Sequence, residues 1–182
     1  MFGFLFNKKK RNNAAHTLFN IIIEHSRVID FYEDYSVEDS LDGRFDLMSV
    51  HMAIVLEKLD HHKDLKDVPE FKRILQEIMF DNLDLTLREI GVGDMGVGKK
   101  IKVMAEAFYG RMIAYQNLFV NKNEVEMSNT LKRNLYREKT INEDILEKMV
   151  SYIYQQYELI IKQDIEKILD GHIEFQLPGK QK

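Results

Sequence analysis

The stretch "GVGDMGVGKK" at residues 91–100 contains the residue types that hold phosphate groups in nucleotide-binding proteins. Its first three glycines match G-x-G-x-x-G, the dinucleotide fingerprint. Gly93, Gly98 and Lys99 match most of G-x-x-x-x-G-K-[ST], the loop that binds nucleoside triphosphates. In such loops glycine lets the backbone approach the phosphates, and the lysine neutralises their charge. The spacing raises the hypothesis of a phosphate- or diphosphate-binding enzyme.

The flanking residues favour a corner between two helices instead. Both nucleotide motifs follow a β-strand, whereas the preceding "LDLTLREI" continues a helical pattern, and a lysine stands where the triphosphate loop needs Ser or Thr. We therefore expect Gly91 or Gly93 to end one helix and Asp94 to cap the next. Gly96 and Gly98 would lie in the first turn of that second helix. Glycine costs helix stability there, which indicates close approach of another backbone or a binding role.

A second set of candidate residues is acidic. Asp81 and Asp84 lie three residues apart on one predicted helix face, a pairing that binds magnesium in all-helical prenyl-transfer enzymes. A second acidic motif should face the first, and none is evident, so we expect Asp84 to pair with Arg88 four residues later. His25 and His51 lie near apolar faces, where a hydrogen-bonded core histidine is the commoner outcome. We predict no catalytic, cofactor-binding or metal-binding residue.

The elements that position these residues are predicted to be helices. Of the 182 residues, 45% are hydrophobic and 31% charged, with 2 prolines and no cysteine, which suits one globular domain without disulfides or thiolate metal sites. Apolar residues recur at helical spacing nearly throughout, and no convincing strand appears. We predict an all-α fold, a single helical domain of about six helices. Their expected positions are about 14–35, 44–61, 68–91, 95–115, 123–137 and 140–171.

Three of these helices carry start signals. The spacing from Asp67 to an acid three residues later predicts a capping box, and Thr140 begins a second one. Asn123 is expected to cap the fifth helix. Gly171 is a good residue to end the sixth.

Charge is unevenly distributed along the chain. Residues 1–13 hold four basic residues and no acid, and the rest holds 22 basic against 30 acidic residues, a net charge of -8. An acidic body with one basic end is a poor nucleic-acid binder, because phosphate contacts need a broad basic surface. "MFGFLFNKKKR" is either a disordered tail or a membrane-surface segment whose apolar residues enter lipid beside anionic headgroups. The second alternative would make the chain a peripheral lipid-binding protein.

Five sequence blocks together resemble the ubiquinol–cytochrome c chaperone family. The resemblance covers about residues 16–160, and the block from 79 to 111 is the most specific, because its glycine spacing and final "FYGR" are hard to meet by chance. Two places depart from the family pattern. Glycine or proline is common in the turn before "DGRF", where this chain has Ser36 and Glu38, and proline is common after "SR", where it has Val28 and Ile29. The blocks are "HSR" with "FY" at 25–32, "DSLDGRFD" at 39–46 with His51 after it, "MFDNLDLTLREIGVGDMGVGKK" at 79–100, "MAEAFYGR" at 104–111 and "LKRNLYR" at 131–137.

The resemblance implies a non-enzymatic, helical assembly chaperone. Such a protein binds newly made cytochrome b as its client, supports assembly of respiratory complex III, and can work with a small co-chaperone. The implied location is cytoplasmic and peripheral at the inner membrane, or the mitochondrial matrix in a eukaryote. No Arg- and Ser-rich presequence precedes the domain, which favours a bacterial form. From the charge distribution and the helix signals we expect an N-terminal tail or membrane-surface segment at 1–13, a helical chaperone domain at 14–171 and a C-terminal tail at 172–182.

The corner and the helix after it are our candidate partner-binding site. A close-packed corner beside a basic, aromatic edge would suit a partner's loop or helix end, although the lysines alone also fit an ordinary solvated face. The candidate residues are Arg44, Arg88, Gly91, Gly93, Asp94, Gly96, Gly98, Lys99, Lys100, Tyr109, Gly110 and Arg111.

Overall fold

The computed structural model describes the backbone of residues 2–179 and the side chains of residues 9–179. Within this range the chain forms eight helices and no strand, so the predicted all-α fold is confirmed. Six helices are long, as predicted, and two have only four and five residues. The helices are α1 (Phe2–Ser26), α2 (Asp30–Glu33), α3 (Leu41–Asp60), α4 (Val68–Glu89), α5 (Asp94–Asn121), α6 (Glu124–Asn134), α7 (Glu143–Ile161) and α8 (Ile165–Leu169).

Helix α3 is the centre of the fold. Its residues from Phe45 to Leu59 are buried on every side, as expected of a helix whose sequence is apolar around most of its circumference. Helices α1, α4, α5 and α7 pack around it. At its first turn the Gly43 Cα lies so close to the preceding loop that a Cβ would meet the Glu38 carbonyl oxygen at 2.0 Å. Glycine is therefore required where α3 enters the core.

The first helix differs from its prediction at both ends. It begins upstream of residue 14, already at Phe2, and it ends at Ser26 instead of Tyr35. The four-residue α2 and a left-handed Ser36 (φ 54°) complete the path to α3. Arg11 anchors the early part of α1, since it donates to the Asp67 carboxylate at 2.9 Å and to the Leu169 carbonyl at 2.8 Å. Met1 and the side chains up to Lys8 lie outside the described residues, so the membrane-surface prediction for this segment stays a prediction.

Helix caps follow the predictions in part. The Asn123 side chain accepts a hydrogen bond from the Glu126 amide at 3.0 Å, as expected. The capping box predicted at Asp67 is wrong, because that carboxylate makes no cap hydrogen bond and pairs with Arg11 instead. At α7 the cap is Asn142, two residues after the predicted Thr140.

The residues after α8 lie against the helical body. Gly171 has a left-handed φ of 88° and follows α8, but the predicted sixth helix does not run unbroken to it, because α7 ends at Ile161 and α8 is a separate helix. The amide of Gln156 on α7 donates to the Gln176 carbonyl at 2.9 Å and its oxygen accepts from the Gln176 N–H at 3.0 Å. Gln163 forms the same two-bond pairing with Glu174. Residues 180–182 of the predicted C-terminal tail lie outside the described range.

Among the helices of the described range, none combines the length and apolar character that crossing a bilayer requires.

Candidate functional site

The glycine-rich stretch forms a helix–loop–helix corner. Helix α4 ends at Glu89, and Gly91 follows with a φ of 88°. The Gly91 N–H donates to the Arg88 carbonyl at 2.9 Å and the Val92 N–H to the Leu87 carbonyl at 3.0 Å, which is the Schellman arrangement that ends a helix. The described residues contain no strand beside it, so neither nucleotide-binding motif has its βαβ or strand–loop–helix setting.

Arg88 forms ion pairs with one acidic residue on each side of this corner. Its guanidinium donates to Asp84, one turn earlier on α4, and to Asp94 at the start of α5. These bonds raise the pKa of Arg88 above its ordinary value. The predicted Asp84–Arg88 pair is therefore confirmed, whereas the predicted capping role of Asp94 is wrong, because Gly93 occupies the N-cap position of α5. The described residues contain no cluster of three or more His, Asp or Glu residues able to hold a metal ion.

The predicted site residues do not all meet. Lys99 and Lys100 are exposed on the first turns of α5, and within the described range neither forms an ion pair. Tyr109 and Gly110 are also exposed, about 16 Å further along the helix at 1.5 Å per residue. Arg44 lies in the first turn of α3, where its Nε donates to Asp39 at 2.6 Å.

Arg111 is not part of a basic edge, so that prediction is wrong. Its side chain is only 12% exposed and points into the protein, where its Nη2 lies 2.9 Å from the Asp46 carboxylate. Arg137 approaches the same carboxylate, with its Nε donating at 2.6 Å, and also donates to Asp42 at 2.9 Å. Together, Arg111 and Arg137 hold α5 and the loop after α6 against the start of α3.

The Asp46 carboxylate is fully buried, which sets its electrostatics. Burial raises the pKa of Asp46 above its ordinary value, although the hydrogen bond from Arg137 and the charges of both arginines oppose the shift. The cost of removing the carboxylate from water is therefore not fully recovered from its partners. The main effect of the cluster is therefore to fix the relative positions of α3, α5 and the loop after α6, and its contribution to net stability is small.

Gly110 has no close neighbour within the described protein. A Cβ built on it would find nothing within 4 Å, so no described part of the protein packs closely against this position. Gly110 lies instead in an exposed apolar strip that we call the α5 outer face. Its members share exposure to solvent at helical spacing, with Met95 at 97% and Ile113 at 64%. They are Met95, Val103, Tyr109, Gly110, Ile113 and Val120.

A second buried polar cluster lies between α1, α3 and α7. The Tyr152 hydroxyl is 2.6 Å from Nε2 of His25 and 2.8 Å from Nε2 of His51, and His51 Nδ1 is 2.9 Å from the Ser26 Oγ. Ser26 uses its own proton to donate to the Ile22 carbonyl. We therefore assign one direction to the chain, in which His25 donates to Tyr152, Tyr152 to His51, and His51 to Ser26. Both imidazoles are neutral in this arrangement.

The burial of this cluster disfavours protonation. Burial lowers the pKa of His25 to about 4, and burial together with the neighbouring His25 lowers the pKa of His51 well below its ordinary value. The Phe175 ring stacks on His25 with 4.5 Å between ring centroids, so the segment after α8 covers the cluster. The expectation of hydrogen-bonded core histidines is confirmed.

Comparison with known proteins agrees with this architecture. A family model described as ubiquinol-cytochrome C chaperone matches residues 33–175, which is more than half of the chain. The chain belongs to the ubiquinol–cytochrome c chaperone family. It is 21% identical over 164 residues to ubiquinol-cytochrome-c reductase complex assembly factor 1 of Xenopus laevis, covering 90% of this chain and 80% of that protein. The crystal structure of a Cbp3 homologue from Brucella abortus has the same fold, with a TM-score of 0.83, 24% identity and 97% of each chain covered.

Four of the five sequence blocks that resemble the ubiquinol–cytochrome c chaperone family each supply a residue to one of the two buried clusters, whereas the block at 79–100 forms the corner. "DSLDGRFD", "FYGR" and "LKRNLYR" supply Asp46, Arg111 and Arg137, respectively. "HSR" supplies His25, and His51 follows the second block. These particular motif side chains therefore hold the helices together inside the protein.

Sequence reasoning missed the apolar members of the α5 outer face. Val103 and Gly110 are seven residues apart, as are Ile113 and Val120, and this repeat was the available signal. It was obscured because α5 also carries inward-facing apolar residues, so almost its whole circumference is apolar.

Proposed function

We propose that this protein is an assembly chaperone, and not an enzyme, that binds newly made cytochrome b and supports assembly of the ubiquinol–cytochrome c reductase complex. Membership of the ubiquinol–cytochrome c chaperone family carries the proposal. The Xenopus relative is described as an assembly factor for that complex, which supports the same role here.

We further propose that the client lies along the α5 outer face. Nascent cytochrome b exposes apolar helices before haem and partner subunits cover them. The seven-residue spacing of Val103 and Gly110, and of Ile113 and Val120, suits contact with another helix. The open space around Gly110 lets a partner backbone approach closely.

The polar residues of α5 explain how binding can be reversible. Lys99, Lys102 and Glu106 are exposed between the apolar members of the face. They make the surface partly polar, which limits the apolar area that a client can bury. A client that must leave for the complex requires such moderate affinity.

Photo-crosslinking in cells tests this proposal. A photoreactive residue at Ile113 should crosslink to cytochrome b, whereas one at Val125 on α6, which is 73% exposed, should not. Ile113→Asp should reduce the assembled complex while Val125→Asp leaves it unchanged. Normal assembly after loss of the whole protein would overturn the chaperone role. Equal crosslinking from both positions would overturn the assignment to α5 but not the role.

We also propose that the protein works with a small co-chaperone, as the family resemblance implies. From the composition of its N-terminal segment, we propose that it makes a peripheral contact with anionic lipid at the inner membrane. The structure sharpens the membrane test, because Lys10 and Arg11 form ion pairs with Asp170 and Arg11 also pairs with Asp67. A deletion should therefore stop at residue 8 to keep α1 anchored. Loss of co-sedimentation with anionic liposomes in this deletion is the expected result, and unchanged co-sedimentation would refute it.

A further inference from the structure

A cavity of about 320 Å³ opens between α1, α3 and α4. Its size is at the lower end of the roughly 300–1,000 Å³ that small-molecule sites occupy, and is larger than the gaps found in well-packed cores. Its floor is apolar and consists of Phe45, Met48 and Leu83, each almost completely buried. Ile90, just before the corner glycine, lies at its edge and is 58% exposed. A ligand here would bury an apolar group.

The charged residues that line the cavity are Arg27, Arg44 and Asp39. Arg27 is exposed and forms no ion pair with any described residue. Arg44 uses only its Nε to hold Asp39, so its terminal nitrogens make no hydrogen bond within the described range. Two guanidiniums against one carboxylate leave the lining with a net charge of about +1, on a chain whose net charge is -4. This local excess favours an anionic head group.

We propose that this cavity binds a small amphiphile in which an apolar chain is joined to a carboxylate or phosphate group. The apolar chain would lie over Phe45 and Met48, and the anionic group would meet Arg27 and the free nitrogens of Arg44. Guanidinium groups suit both anions, because their paired N–H groups match two oxygens at once. The ligand is either a free amphiphile or the acyl chain and head group of a lipid.

The surrounding backbone favours this ligand over a peptide. An extended peptide binds through unpaired main-chain groups of its receptor, and the cavity walls are mainly helices whose main-chain groups bond internally. The Ser40 side chain is also engaged, accepting from the Gly43 N–H at 3.1 Å, and Thr86 donates to the Asn82 carbonyl at 2.8 Å. The Ser40 hydroxyl keeps its proton as a neutral donor, and the two guanidinium groups are the charged donors that line the cavity. This inference goes beyond the proposed function and does not depend on it.

Calorimetric titration of the full chain tests the proposal with decanoate and decyl phosphate as probes, below their micelle concentrations. At least one should bind saturably at one site, and decanol, which has the same chain without charge, should bind at least about tenfold more weakly. Arg27→Gln should weaken binding about tenfold. Arg73→Gln, an exposed arginine on α4 that does not line the cavity, is the matched control and should change nothing.

Thr86→Phe provides a second test, because it fills the cavity from α4. It should abolish binding while the helical circular dichroism stays normal. If the decyl probes bind, co-sedimentation with phosphatidylglycerol liposomes identifies the source: dependence on Arg27 indicates a lipid, and independence indicates a free amphiphile. Absence of saturable binding by both probes would overturn the proposal. So would equal effects of Arg27→Gln and Arg73→Gln, or binding only of an acidic, apolar peptide.

Discussion

Replacing Asp46 by Asn should destabilise the protein strongly. Asp46 accepts from Arg137 at 2.6 Å and pairs with Arg111 at 2.9 Å, and its side chain is fully buried. An asparagine keeps the shape and can still accept one hydrogen bond, but it removes the only negative charge that faces Arg111 among the described ion pairs. Arg137 retains Asp42 at 2.9 Å. The perturbation therefore leaves one guanidinium, only 12% exposed, without a counter-charge.

Removing one partner of a buried ion pair typically costs about 3–5 kcal/mol, because the remaining charge stays buried. We expect about 3 kcal/mol, the low end of that range, since the amide still accepts a hydrogen bond. For a protein of this size that corresponds to a melting temperature lower by roughly 6–12 °C. Urea unfolding followed by circular dichroism measures the change in free energy, with an unchanged slope against denaturant as the check for two-state behaviour.

A double variant separates the net stability that the ion pair provides from the cost of leaving one buried charge without its partner. Burial already raises the pKa of Asp46, so the pair returns little net stability. Asp46→Leu with Arg111→Met removes both charges together and should recover most of the loss, as replacement of buried ion pairs by apolar side chains often does. A single variant that loses less than about 1 kcal/mol would refute the argument. A double variant as unstable as the single one would show that the pair itself stabilises the fold.

Three further predictions concern other positions. Gly110→Ala should raise the free energy of unfolding by up to about 1 kcal/mol, because the added methyl meets nothing within 4 Å. Lowering the pH from 7 to 5 should cost about 2 kcal/mol from His25 alone, because the unfolded histidine binds a proton that the buried one, with its lowered pKa, does not. His25→Phe should remove this contribution and so make the free energy of unfolding less dependent on pH in urea titrations. Tyr115→Phe should leave stability unchanged or raise it by about 1 kcal/mol, because the buried hydroxyl has no hydrogen-bond partner within the described residues.

Each of these has an outcome that would contradict it. Destabilisation by Gly110→Ala would mean that this helix surface is covered within the protein. Stability independent of pH between 7 and 5 would contradict the neutral assignment of the histidine chain. A loss above 1 kcal/mol in Tyr115→Phe would reveal a buried partner for its hydroxyl.

Helical periodicity was sufficient to predict the fold class and the approximate positions of most long helices. It failed where a local choice depends on distant contacts. Asp67 has the sequence of a helix cap, but Arg11 from α1 takes its carboxylate, and no local pattern contains that residue. The early end of α1 at Ser26 is similar, because Ser26 is held inside the histidine cluster, where His51 Nδ1 lies 2.9 Å from its hydroxyl.

The candidate site was predicted less well than the fold. The corner was correct because Gly91 must adopt a left-handed backbone, which is a property of the residue itself. Arg111 was misplaced because a charged residue in a helix was taken as exposed, whereas its partner Asp46 is 65 positions away in the sequence. Long-range pairing of this kind has no signature within a single helix.

Arg111 and Gly110 are neighbours on α5 whose directions differ by about 100°, so that Arg111 points into the protein while Gly110 faces open space. Arg111 holds the helix to α3 through Asp46, and that bond fixes the rotation of α5 about its own axis. A helix advances about 100° per residue, so a fixed Arg111 also fixes the direction in which Val103, Gly110 and Ile113 point. Side chains that bury charge need matched partners, which makes their sequence blocks recognisable, while an apolar contact surface needs only exposed residues at the right spacing. The buried Asp46 cluster therefore sets the direction of the α5 outer face.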